Sequence, residues 1–220
     1  MENLSYKNLP SIDEIKEILI SQAVLDIILT EEENHWLRLI NFYKNYSKGL
    51  DMVKIDNIAG DHVYILFSDE GAIIKGFDHE SILSPYANDE GKIAKGIYES
   101  VPNELMKLLD DSVEVQDVTF CIWRKRTDMF WCKGEVTVPD DYKNGDDGED
   151  FLLGYIFQDA DSWLEWAQGY YDEQGKIIKI DHVKKVYEHQ NITKEIVESI
   201  NPDRDFEEVN QELKKIGYTK

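Results

Sequence analysis

Asp78, His79, Glu80 and Ser81 follow one another directly after Gly76-Phe77. A histidine between two carboxylates, with a hydroxyl beside them, supplies the groups that move protons and hold metal ions. Neighbouring residues of an extended chain point to opposite faces. Asp78, His79 and Glu80 can therefore meet at one atom only if the chain turns there. The simpler expectation is that Asp78 and Ser81 hydrogen-bond the backbone of their own turn. If the protein is an enzyme, Asp78, His79 and Glu80 are its catalytic candidates, and Ser81 is a candidate for binding.

The remaining chemistry-bearing residues match established templates poorly. His182 and His189 are seven apart, two helical turns, which is too far for one ion, and His79-Glu80 is followed by Ser-Ile-Leu, so no His-Glu-x-x-His motif occurs. Cys121 and Cys132 lie eleven apart and do not make a zinc pair. The acidic stretch Pro139–Asp150 holds six carboxylates and one lysine, but aligning Gly145 with the sixth EF-hand position puts Tyr142 third and Phe151 twelfth. It reads as a solvated loop. No glycine-rich phosphate cradle and no Gly-x-Ser-x-Gly is present. The expectation is no metal and no cofactor. Trp163, Trp166 and Tyr170 fall on one side of a helix. That pattern is usual for a core, but exposed it would be a binding face with an acidic rim.

The elements that must position these residues follow from periodicity. Ser11 and Glu14 form a capping box for a first helix with Ile15, Ile18, Leu19, Leu25, Ile28 and Leu29 at near-helical spacing. A second helix is predicted over about 34–46, with Trp36, Ile40 and Tyr43 as its stripe. The pattern then changes to alternation, and Leu50–Asp56, His62–Ser68 and Ala72–Phe77 read as strands, with Gly71 in a tight turn. Pro102–Leu109 reads as a short helix. Val118–Lys125 and Phe130–Val136 read as a hairpin. With Arg126-Thr127 as its turn, Cys121 faces Cys132, Trp123 faces Phe130 and Ile122 faces Trp131; a longer loop changes the pairs. Phe151–Phe157 is either a strand or a helix start, Asp161–Tyr171 is a helix, and three short helices follow over roughly 182–189, 193–199 and 206–216.

Charge limits the partners. With 24 Lys+Arg against 45 Asp+Glu the net charge is −21. Nucleic acid and anionic membranes repel such a chain, whereas a basic protein is attracted. The tail from His182 carries seven basic and eight acidic residues, so it is nearly neutral and poorly suited to a helix-turn-helix role on DNA. No apolar run reaches the 18–20 or so residues that span a bilayer. The start Met1-Glu2-Asn3-Leu4 lacks the marks of a secretory signal, and two cysteines fit a reduced, cytoplasmic setting.

The run Gly60–Ser68, then Gly71 and Ile74-Lys75-Gly76-Phe77-Asp78-His79-Glu80-Ser81, resembles a family of uncharacterised bacterial proteins, as do Val118–Trp123, Asn201-Pro202 and the closing Ile216-Gly217-Tyr218. The resemblance spans most of the chain from about residue 50. It implies one integrated architecture and points to Asp78–Ser81, but it implies no activity.

The expected fold is α+β: N-terminal helices, a mostly antiparallel sheet of about five or six strands, and a helical segment from residue 181 docked on a main body of residues 1–180. The leading functional expectation is a non-catalytic interaction protein, such as an immunity-type or inhibitor protein for a basic partner. The alternative is a hydrolase-like or metal-assisted enzyme built on Asp78, His79 and Glu80.

Overall fold

A computed structural model describes residues 4–87, 91–136, 146–171 and 178–218. The fold is α+β. Six strands, β1 (Ile40–Ser47), β2 (Leu50–Asp56), β3 (His62–Phe67), β4 (Gly71–Phe77), β5 (Phe120–Lys125) and β6 (Cys132–Lys133), form one antiparallel sheet in chain order. The helices are α1 (Ile12–Leu29), α2 (Asn103–Met106), α3 (Glu149–Leu153), α4 (Ala160–Tyr171), α5 (Ile180–Tyr187), α6 (Lys194–Ile200) and α7 (Phe206–Lys215). None of the described helices is long and apolar enough to cross a membrane.

The first helix starts as its capping box requires. Glu14 N donates to Ser11 Oγ at 3.3 Å and Ser11 N donates to Glu14 Oε2 at 2.9 Å, satisfying N–H groups the helix cannot. The expected second helix over 34–46 does not form. A 3-10 turn over Glu32–Leu37 gives way to β1. Ile40 and Phe42 recur at two-residue spacing and are buried, while Trp36 is left exposed. Alternation therefore prevails over the helical stripe in a stretch rich in aromatic residues, which suit a pleated surface.

The chain divides into two compact units: Met1–Ile15 with Asn45–Tyr155, and Lys16–Lys44 with Ile156–Lys220. In the first unit every residue of β3 and β4 is buried. One face of the sheet carries Leu50, Met52, Tyr64, Leu66, Ile73, Cys121 and Trp123. The connection over 93–118 covers that face with Ile97, Leu105, Val113 and Val118. The β3–β4 turn is tight because Gly71, at φ +154°, lies against β5, where an added Cβ would come within 2.3 Å of Arg124 O.

The β5–β6 hairpin has a longer loop than a two-residue turn, and its register differs accordingly. Trp123 pairs with Cys132 and Ile122 with Lys133. Cys121 accepts from Gly134 N at 3.0 Å on that side and faces Lys75 of β4 on the other, and β6 is a two-residue strand at the edge of the sheet. Asp128 sets the loop: its main-chain N–H bonds Lys125 O, its carboxylate accepts from Lys125 N, and its carbonyl accepts from Arg124 Nε. Met129 and Phe130 are exposed as a result. The basic run Arg124-Lys125-Arg126 at this turn is tied down by a Lys125–Glu104 pair at 2.7 Å and an Arg126–Asp13 pair at 2.5 Å.

In the second unit the buried side of α1 from Val24 to Leu29 packs with Trp163, Ala167 and Tyr171 of α4, Val183 and Val186 of α5, Ile196, Val197 and Ile200 of α6, and Val209 and Leu213 of α7. Helix α1 is buried on all sides from Ser21 to its end at Leu29, so its polar side chains need partners. Ser21 Oγ donates to Glu17 O, Gln22 Oε1 accepts from Phe157 N, and Asp26 accepts from Ile40 N at 2.7 Å. Asn201, where the chain leaves α6, donates to Ile28 O and Leu29 O and so satisfies the end of α1.

Candidate functional site

Antiparallel pairing of β3 with β4 sets His62 opposite Phe77. The residues just outside that pair, Asp61 and Asp78, therefore emerge at the same end of the sheet. After Phe77 the chain does turn: Ser81 N bonds Asp78 O at 3.2 Å, and Asp78 Oδ1 accepts from Glu80 N at 2.9 Å. The turn swings His79 onto Asp61, whose Oδ1 accepts from the His79 main chain at 2.9 Å and contacts His79 Nδ1 at 2.6 Å. Asn57 Nδ2 holds the other oxygen of Asp61 at 2.7 Å. One donor atom from each of Asp61, Asp78 and His79 lies within 4.8 Å of the other two.

The two remaining residues of the predicted cluster do not join. Glu80 has a side chain 85% exposed and only reaches His79 Nε2 at 4.0 Å. Ser81 is buried, accepts from Leu83 N within its own turn and donates to Asp146 O at 2.7 Å, so its hydroxyl is spent on backbone. The third member is Asp61, which sequence reading passed over. Its signal was the hairpin itself, because register places the residue before β3 beside the residue after β4. On the other side, Thr119 Oγ1 accepts from Asp78 N and donates to Asp147 O. Gly148, at φ +80°, closes over Asp78 so tightly that a Cβ there would stand 2.4 Å from Asp78 Cβ. No residue with a side chain fits that position.

The electrostatics are uneven. The Asp61 hydrogen bond holds His79 above the usual imidazole range. Burial alone would raise Asp61, but the bonds from the His79 main chain and ring bring it below the usual carboxylate range. Asp78 is raised, first by burial and then by the Asp61 charge beside it. Among the described residues it has no ion-pair partner.

A second cluster lies inside the sheet. Lys75 is fully buried, with Nζ 3.0 Å from His62 Nε2 and 3.2 Å from Val113 O. Glu114 Oε2 is 3.1 Å from His62 Nε2, and the Tyr64 ring lies 5.2 Å beneath the ammonium. Burial pushes Lys75 down to about 7, against the attraction of Glu114 and Asp117. Burial, with the charges of Lys75 and Lys54, pushes His62 down to about 3. His62 is therefore neutral at ordinary pH.

In the second unit a cavity of about 680 Å³ is lined by Glu31, Glu32, Glu33, Arg204, Glu208, Gln211 and Glu212. Trp36, on the same 3-10 turn as Glu32 and Glu33, is 58% exposed. The predicted aromatic stripe divides: Trp163 is core, Trp166 is half-buried between Phe157 and Tyr170, and Tyr170 is exposed on a second cavity of about 540 Å³ with Tyr171, Leu37 and Asn34. A third cavity, of about 830 Å³ in the first unit, includes Tyr6, Lys95, Trp123, Cys132 and Lys133 in its lining. The acidic stretch that invites a calcium reading falls largely on residues 137–145, outside the described residues.

Compared with known proteins, the chain matches no family model, no curated protein and no solved structure.

Proposed function

We propose that this protein is a non-catalytic interaction protein that engages a basic partner, in the manner of an immunity-type or inhibitor protein masking a basic toxin. The observation that carries the reading is the distribution of negative charge. The chain bears −21 overall, and Glu31, Glu32, Glu33, Glu208 and Glu212 line one cavity with Arg204 and Gln211, while Trp36, on the same 3-10 turn as Glu32 and Glu33, is exposed. Such a field accelerates encounter with a cation-rich surface, and a tryptophan supplies the kind of apolar contact that anchors interfaces. The test uses the immobilised chain with basic proteins of the source cell. A basic protein is retained and released as salt rises, because exposed charge is screened. Replacing Glu31, Glu32 and Glu33 together by Gln slows its association about tenfold. Salt-insensitive capture, or a triple variant that associates as fast as the parent, overturns the reading.

The enzyme reading keeps one supporting observation, the convergence of Asp78 and His79 with Asp61. It loses Glu80 to solvent, and none of the three cavities described above is lined by these residues. A hydrolytic activity that disappears in His79→Ala would restore it.

A further inference from the structure

We propose that Asp61, Asp78 and His79 form a binding site for a divalent first-row transition ion such as Mn²⁺ or Zn²⁺. The inference does not depend on the partner reading.

Three observations carry it. The donor atoms come from two separate loops, yet sheet register brings them within 4.8 Å of one another. An ion about 2.1 Å from each ligand spans about 4.2 Å between opposite donors, so small side-chain rotations close the set around it. The second observation is preorganisation. Asn57 Nδ2 and the His79 main chain fix Asp61, Glu80 N fixes Asp78, and Gly148 closes over Asp78. Fixed ligands of this kind are what a metal centre needs from its surroundings. The third is charge. Two carboxylates share the cluster with one imidazole, Asp61 is 5% exposed, and Asp78 has no ion-pair partner among the described residues. A bound cation supplies the missing positive charge.

The donor set selects the ion. Two carboxylate oxygens with one imidazole nitrogen suit borderline ions such as Mn²⁺ and Zn²⁺, whereas Ca²⁺ and Mg²⁺ prefer oxygen alone. Coordination through His79 Nδ1 replaces the proton shared with Asp61, and that proton leaves to solvent.

The experiment titrates chelator-stripped full-length protein with Mn²⁺, following loss of the free-ion electron paramagnetic resonance signal, and with Zn²⁺ by calorimetry. One saturable equivalent is expected. Asp78→Asn keeps the bond from Glu80 N while removing the charge, and His79→Ala removes an exposed ring, so both variants test the site without emptying a core. Each is expected to weaken binding by more than about tenfold. Absence of saturable binding of either ion up to about 1 mM overturns the proposal, because it leaves affinity no better than weak extracellular sites. So does undiminished binding in whichever variants keep the parent's circular dichroism, since the ion then sits elsewhere on the acidic surface.

Discussion

In the second unit, charge is buried as a bonded set. Glu212 accepts from Arg38 at 2.7 Å on one oxygen and from Arg204 on the other, Arg204 also holds Glu208 at 2.7 Å, and Arg38 donates to Thr30 O at 2.6 Å. All three central side chains are almost inaccessible to water. In the first unit a single cation, Lys75, is buried against a neutral imidazole, a carbonyl and an aromatic ring, with a half-exposed Glu114 as the nearby carboxylate. The contrast teaches that buried charge is tolerated in two ways. It can be bonded directly to opposite charge, as Glu212 is to two arginines, or it can be weakened by lowering the group's proton affinity until the neutral form competes.

Breaking the bonded set should cost the most. Glu212→Gln keeps the shape but leaves two buried guanidiniums facing a neutral amide, and the only slack is an unbonded Nε on each arginine. A loss of about 3–5 kcal/mol follows from stranding buried charge in this way. Urea melts of parent and variant read it directly, and a loss below about 1 kcal/mol would show that the network is less desolvated than its geometry implies. Lys75→Met should behave oppositely at neutral pH. It replaces an uncancelled cation by an apolar side chain of similar length, and is expected to be neutral or to stabilise by about 1–2 kcal/mol.

The next effect sharpens the comparison through pH. Asp26 in the second unit is raised by burial to about 7, despite the bond from Ile40 N and the nearby Arg38. Its folded pKa lies above the unfolded value of 3.8, so its contribution to stability is complete below pH 3.8 and is lost as pH rises through 7. His62 in the first unit has a folded pKa of about 3 against an ordinary 6.5, so its contribution is complete above 6.5 and is lost as pH falls toward 3. Lys75 extends the same sign upward, with stability gained as pH rises from about 7 to 10.5. Between pH 4 and 7 the two units are thus expected to move in opposite directions. Amide exchange, corrected for its intrinsic pH dependence, should show α1 losing protection with rising pH while β3 and β4 gain it. Asp26→Asn flattens the α1 response, by up to about 4 kcal/mol across the window from a shift of about three pKa units. If both units follow pH with one sign, the opposition between them fails.

The sequence discloses these features to different depths. Strands β2, β3 and β4, helices α4 to α7 and the Ser11–Glu14 capping box are local, set by spacing and by a few cap residues, and they appear where alternation, helical spacing and cap residues place them. What a strand pairs with depends on loop length, and one longer loop moved Cys132 from Cys121 to Trp123. The stretch from Trp36 to Tyr43 satisfies helical and strand periods at once, so local reading chose wrongly there. The candidate site shows the same limit. Asp78 and His79 stand out because they are adjacent in sequence, whereas Asp61 is joined to them only by the register of the hairpin. Lys75 reads as an ordinary strand lysine until both neighbouring strands and the 93–118 connection close over it.

The last and least effect tests whether equivalent local signals carry equal weight at two helix starts. Ser11 caps α1 with a neutral hydroxyl, and Asp205 caps α7 with a carboxylate that accepts from Glu208 N at 3.0 Å. Each replacement by Ala removes one cap bond, and about 1 kcal/mol is the usual loss. Asp205 also places negative charge at the positive end of the α7 dipole, which adds about 0.3–1 kcal/mol at low salt. Asp205→Ala should therefore cost more than Ser11→Ala in dilute buffer. The difference should shrink in concentrated salt, which screens the dipole term and leaves the cap bond itself. Equal losses at both salt concentrations would mean that Asp205 acts only as an acceptor.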